Sequence, residues 1–223
     1  MTSPIPPEPV EERLADRLSA RTRARPSRAV RLLRRLGRVD RAAYRAVAEM
    51  STPLLDGPLR KVSHFANFSK PWFLVAGVLA LFGGAPGRRA ALTGVAAIGL
   101  TSFVVNQPMK LAGERRRPDR TTLGVPESRW VRMPSSTSFP SGHSGSAAAF
   151  AVSVGDVLPR LRLPLRAAAA VVIFSRVYTG VHYPGDVVVG AAVGALLGRA
   201  TSTVARKIRP PSLTSSRLTP RRF

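Results

Sequence analysis

Long charge-free blocks alternate with arginine clusters along this chain, and that alternation restricts its fold more than any other feature. Residues 90–109 and 133–155 hold no Asp, Glu, Lys or Arg. Arginines instead crowd the first 45 residues, the stretch 110–132, the segment 160–166 and the C-terminal tail. Apolar blocks joined by basic loops are the pattern of helices that cross a bilayer. The chain has 223 residues with 35 Lys plus Arg against 12 Asp plus Glu, a formal net charge of +23. So basic a balance also suits a nucleic-acid binder. Such a surface needs stacking or base-reading groups among its arginines, yet aromatic residues make up only 6% and lie mostly in apolar stretches. Basic loops beside anionic lipid account better for the charge, and no nucleic-acid partner is expected. The absence of cysteine excludes a disulfide framework and thiolate metal sites, and a multi-histidine metal site would need nearly all of the three His.

Residues 1–38 read as a disordered basic segment, 39–200 as a membrane-embedded domain and 201–223 as a basic tail. Four of the first nine residues are Pro, and no apolar core of a cleavable signal peptide follows the start. Within 39–50, Val39, Ala43, Ala46, Val47 and Met50 recur at helical spacing opposite Arg41, Arg45 and Glu49. That predicts a helix lying in the membrane interface. Five apolar stretches follow, at 71–85, 90–109, 142–158, 165–181 and 185–200. They are short against the roughly 20 residues that span hydrocarbon, although the first gains length if it starts near residue 59. Small residues are dense in them, as at Gly190, Ala191, Ala192, Gly194 and Ala195, which lets membrane helices approach closely. The expected fold class is all-α: an integral membrane helical bundle of about five to six transmembrane helices plus the N-terminal interfacial helix. A soluble Ala-rich bundle would need a polar face that 185–200 does not offer.

Three short segments gather polar groups at the ends of these stretches. The first runs from Lys110 to Arg117-Pro118. Lys110 and Arg117 are two helical turns apart and would share a face of a helix that Pro118 ends; taken alone, the segment reads equally as a basic loop of interchangeable cations. The second is Ser138-Phe139-Pro140-Ser141-Gly142-His143. A Ser-Gly turn entering a helix turns unpaired backbone N–H groups towards an incoming anion, though the same residues also describe an ordinary N-cap with a satisfied histidine. The third holds Ser175, Arg176, His182 and Asp186. An arginine ending one span and an aspartate opening the next are costly in lipid and mark a functional site by default. An interfacial Arg176–Asp186 ion pair is the plainer alternative. A carboxylate four residues after His182 can hold one imidazole nitrogen and leave the other free.

Together the segments read K-x6-RP, PSGH and SR-x5-H-x3-D, and this set resembles the signature of the type 2 phosphatidic acid phosphatase superfamily over roughly residues 40–200. The resemblance implies His182 as nucleophile, Asp186 as its orienting partner and His143 as general acid. It also implies phosphate binding by Lys110, Arg117, Ser141, Gly142 and Arg176, with no metal or other cofactor. The chemistry asks for these residue types independently. A neutral imidazole can attack an anionic ester, the resulting phosphohistidine is hydrolysed by water, and fixed cations stabilise charge on the equatorial oxygens. Arg115 and Arg116 read as lipid-facing or solvated, Glu114 as a partner of Lys110, His64 as interfacial and Asp156 as a loop-edge residue.

The function implied is a membrane phosphatase acting on a lipid phosphate or diphosphate, such as a polyprenyl phosphate or phosphatidic acid. Its partners would be that phosphorylated lipid and the surrounding membrane lipids. A vanadate-dependent haloperoxidase-like enzyme and a non-catalytic basic membrane protein are the alternatives. The expected location is a bacterial cell membrane. The cations between the spans favour a cytoplasmic tail and a site on the extracytoplasmic face, whereas with five spans the ten arginines before residue 39 would share the site's side and oppose it, unless a sixth crossing lies within 40–66.

Overall fold

The computed structural model of the chain describes residues 28–112 and 115–208. The expected disorder of residues 1–27, the tail beyond residue 208 and the pairing of Glu114 therefore lie outside the described residues. The chain divides into two units, Met1–Val39 and Asp40–Phe223. All of the architecture below belongs to the second unit, except that helix α1 (Arg28–Ala48) includes residues of both.

Helices follow one another in the order α2 (Pro53–Phe65), α3 (Lys70–Phe82), α4 (Gly84–Val104), α5 (Gly142–Val157), α6 (Arg162–Tyr178) and α7 (Pro184–Lys207). Prolines open α2 and α7, where a missing N–H leaves no intrahelical bond unmade. Pro108 lies inside the wide turn Val105–Met109 that continues α4, just before the short turn Lys110–Ala112. The 26-residue run Gly84–Met109 and the 24-residue run Pro184–Lys207 are long and apolar enough to cross a membrane. The runs Pro53–Phe65 and Asn67–Phe82 make a third crossing if they are one span, bent by 70° at their junction. Phe68 and Ser69 turn that corner at φ 57° and 58°, in the left-handed region that non-glycine residues rarely enter. Leu81, Phe82, Leu92, Leu100 and Phe103 are exposed on the outside of the bundle, as suits an integral membrane protein.

One helix pair fixes the site. Gly190, Gly194 and Gly198 form a stripe along α7 that lies against Ser141, Gly145 and Ala149. A Cβ at residue 194 would sit 2.0 Å from the Gly145 carbonyl oxygen, and one at 190 would sit 2.4 Å from that of Ser141. Backbone therefore packs on backbone, which only glycine permits. The second and third polar segments are locked side by side, and Ser141 N–H donates to the Asp186 carbonyl at 3.0 Å. On the other side of α5, Phe150 packs 5.5 Å from Trp72 of α3, ring centre to ring centre. Ile98, Ala147, Val154 and Val172 complete that core.

Helix α1 corrects the expected apolar stripe. Val39 and Met50 are exposed, whereas Tyr44 and Ala48 are buried, with Asp40 half-buried on the same face. Polar side chains point inward here because each has a partner. The Tyr44 hydroxyl donates to the Gly180 carbonyl, and Asp40 is held by two donors described below. The helix also begins at Arg28, so residues 28–38, expected to be disordered, are helical.

Candidate functional site

Six parts of the chain converge at one end of the bundle: the end of α4, the connection 115–141, the start of α5, the end of α6, the turn 179–183 and the start of α7. His182 lies in that turn and is 2% exposed. Its Nδ1 stands 3.6 Å from Asp186 Oδ2 and 3.5 Å from Ser138 Oγ. Its Nε2 stands 3.2 Å from Arg117 Nη1. A guanidinium can only donate, so Nε2 is the unprotonated nitrogen and Nδ1 carries the hydrogen. Burial pushes the imidazole pKa down to about 4; the Asp186 hydrogen bond raises it, and Arg117 and Arg176 lower it further. The ring is therefore neutral at pH 7, with its lone pair on the side of the cations.

Asp186 is fully buried at the first turn of α7. Its Oδ2 accepts from Ser138 Oγ–H at 2.5 Å and from the Tyr183 N–H at 2.9 Å. Its Oδ1 accepts from Arg115 Nη1 at 2.9 Å. The alternative Arg176–Asp186 ion pair is not what forms. Arg176 instead donates to the Ser63 carbonyl and hydroxyl at 3.0 and 2.7 Å. It is 1% exposed, and its Nε has no partner among the described residues. A buried guanidinium N–H without an acceptor costs free energy that an incoming anion would recover. The buried hydroxyl of Thr137, next to Ser138 in sequence, is also unpartnered among the described residues.

Lys110 and Arg117 do come together, but not on one helix face as their spacing predicts. The helix ends at Ala112 among the described residues, and both side chains instead meet at the Ser136 hydroxyl, at 3.1 and 3.2 Å. Carbonyls of Ser136, Thr137 and Val181 hold the Arg117 guanidinium in place. Burial, then repulsion from Arg117, holds the Lys110 ammonium below its ordinary pKa. A bound anion relieves that repulsion.

His143 stands in the first turn of α5, which Ser141 caps by accepting from the Ser144 N–H at 3.4 Å. Backbone N–H groups of such a turn have no intrahelical acceptor. His143 Nε2 lies 3.0 Å from Asn67 Oδ1, at the break between α2 and α3. All eight residues singled out from sequence thus lie in this region. Asn67, Ser63, Ser136 and Arg115 are additions. Arg115 corrects the expectation of a solvated or lipid-facing side chain, since two carboxylates hold it. Asp156 does stand at a loop edge, one residue before the end of α5, where its nearly buried carboxylate accepts from Arg199 and Ser202.

Comparison with known proteins identifies the family. The family model described as PAP2 superfamily matches residues 90–210. A decaprenylphosphoryl-5-phosphoribose phosphatase of Mycobacterium tuberculosis is 32% identical over 178 residues, covering 75% of this chain and 93% of that one. A lipid A 1-phosphatase of Rhizobium johnstonii is 42% identical over 67 residues, 30% of this chain and 28% of the other. Among solved structures, the transmembrane PAP2 type phosphatidylglycerolphosphate phosphatase of Bacillus subtilis superposes with a TM-score of 0.60 at 26% identity, covering 82% of this chain and 89% of that one. Aquifex aeolicus LpxE shares the fold, with a TM-score of 0.58 at 22% identity. The family match spans more than half of the chain and includes His143 and His182, so the chain belongs to the PAP2 superfamily.

Proposed function

We propose that this chain is a membrane-bound phosphatase that removes phosphate from a lipid phosphate through a phosphohistidine on His182. The observation that carries the reading is the His182 ring itself: Nδ1 is turned to Asp186, and Nε2 is unprotonated and faces Arg117. The Nε2 lone pair attacks phosphorus and the bond to the lipid oxygen breaks, with His143 giving that oxygen its proton. Water then attacks phosphorus, the P–N bond breaks, and His143 takes the proton from water. Lys110, Arg117, Arg176, the Ser141 hydroxyl and the first-turn N–H of Gly142 stabilise the equatorial oxygens, the Ser141 N–H being taken by the Asp186 carbonyl. The unpartnered Nε of Arg176 fits such a role.

The substrate class is a prenyl-linked phosphate. The Mycobacterium tuberculosis relative, whose name carries that specificity, aligns over 93% of its length, and a site at the end of a bundle suits an amphiphile whose tail stays in lipid. Purified protein in liposomes should release inorganic phosphate from a polyprenylphosphoryl sugar phosphate faster than from phosphatidic acid. Release should persist in EDTA and be inhibited by vanadate. No release from any phospholipid or prenyl phosphate, or release only on adding magnesium, would overturn the reading.

The site faces the extracytoplasmic side of a bacterial cell membrane. Arg88, Arg89, Arg160, Arg162, Arg166, Arg199, Arg206 and Lys207 lie at the helix ends away from it, against Arg115, Arg116, Arg120, Arg129 and Arg132 in the connection on the site side once the phosphate-binding cations are set aside, and the positive-inside rule favours the cytoplasm for the more basic end. The chain has no native cysteine, so single probes are clean. Glu127→Cys, on the exposed connection of the site side, should react with an impermeant thiol reagent on intact cells. Arg160→Cys, exposed between α5 and α6, should react only after lysis. The reverse pattern would place the chemistry in the cytoplasm.

A further inference from the structure

We infer that Arg115 and Asp40 form, with Asp186, a carboxylate–guanidinium–carboxylate relay that positions Asp186 and sets the charge it presents to His182. This rests on the reading of His182 as nucleophile and adds two positioning residues to it. The two forks of one guanidinium are divided between two acids. Arg115 Nη1 donates to Asp186 Oδ1 at 2.9 Å, and Nη2 donates to Asp40 Oδ2 at 2.5 Å. The guanidinium carbon lies 4.0 Å from the centre of the Tyr183 ring, which fixes its plane. Asp40 is anchored in turn, since its Oδ1 accepts from the Gly185 N–H at 2.6 Å in the first turn of α7.

The arrangement solves a charge problem. His182 becomes cationic when phosphorylated, so it must face an anion. Asp186 has no contact with water, and a buried carboxylate needs bonded donors to remain ionised. A lone arginine would supply donors but cancel the charge. Asp40, on the other fork of that arginine, leaves one net negative charge on the three groups. Oδ1 of Asp186 is thus held by the relay, while Oδ2, with Ser138 and the Tyr183 N–H, faces the imidazole. Asp40 lies on α1, so the relay also ties that helix to the nucleophile's partner.

The test compares Asp40→Asn, Arg115→Gln, Arg115→Lys and Asp186→Asn, alone and combined, in phosphate release by the full chain in liposomes. Arg115→Gln should lower kcat by about 10- to 100-fold, the usual effect of removing a group that orients a catalytic one, with KM changed far less. Arg115→Lys should recover part of the loss. In the Asp186→Asn background, Arg115→Gln should cost little more, because both act through one carboxylate. The acid limb of kcat/KM supplies a readout that a structural role would not move. Arg117, Arg176, His143 and Asp186 face His182 or its pocket and are unchanged in the two relay variants. Removing the Arg115 cation should move the limb to higher pH, and removing the Asp40 anion should move it to lower pH. Wild-type kcat with an unmoved limb in both variants overturns the relay, as do shifts of one sign that track lost thermal stability. Should Arg115→Gln not fold, Asp40→Asn, nearly isosteric and still able to accept from Gly185, decides alone. An inactive wild type defeats the phosphatase reading, and the relay with it. An active wild type with indifferent variants defeats the relay only.

Discussion

Replacing His182 with alanine is expected to lower phosphate release by about 10⁴- to 10⁶-fold, the range found when a covalent nucleophile or its immediate partner is removed. No other side chain can take over. Of the two remaining histidines, His143 lies at the first turn of α5 facing Asn67, and His64 is exposed on α2. The covalent step gives a direct measurement. Wild-type protein mixed with ³²P-labelled substrate and quenched in alkali should carry an acid-labile, alkali-stable label, and His182→Ala should carry none. A labelled alanine variant would move the nucleophile elsewhere. The pH profile makes a second demand. With its pKa pushed down to about 4 by burial, the ring is neutral above that pH and protonated below it. Nucleophilic imidazole is therefore complete at pH 7, and kcat/KM should stay level to about pH 5 once the substrate phosphate's own ionisation near pH 6 is allowed for. A limb at the ordinary histidine value, about 6.5, would show that His182 is solvated during turnover.

Much of this site was legible in the sequence because its chemistry is local. His182 and Asp186 are four residues apart, and Ser141, Gly142 and His143 are consecutive, so spacing draws attention to each cluster and the family resemblance supplies the roles. The charge-free blocks likewise pointed to helices close to where they occur. What sequence could not supply is which clusters meet and by what route. Lys110 and Arg117 converge, yet through Ser136 rather than along a helix face, since the helix ends between them. Arg115 and Arg116 are neighbours in a basic run with nothing to tell them apart. Only the fold brings Asp40, 75 positions away, to one of them. The inward face of α1 was misread for the same reason. Hydrophobic periodicity favours Val39 and Met50, whereas Asp40 and Tyr44 are turned inward by long-range hydrogen bonds that no pattern of apolar residues records. Asn67 carries no signal beyond being a polar residue between two apolar helices, and its place beside His143 depends on the sharp bend at Phe68 and Ser69.

The second large effect should be selective. His143→Ala is expected to cost about 10²- to 10⁴-fold on a lipid phosphate, the scale of general acid–base catalysis, and several-fold or less on an activated aryl phosphate. A lipid alkoxide leaves only with a proton, whereas a nitrophenolate is stable without one. The same substitution removes one phosphate contact for both substrates, so any loss from binding alone would be equal. The difference between the two losses therefore isolates proton transfer. Asn67 refines the test. Its Oδ1 accepts from the Nε2–H of His143, which orients the ring without supplying a proton. Asn67→Ala should produce a smaller loss of the same selectivity, while Asn67→Asp, which keeps an acceptor there, should retain more activity than the alanine variant. Equal losses on lipid and aryl substrates in His143→Ala would reduce His143 to a phosphate-binding group and require the leaving oxygen to be protonated from water.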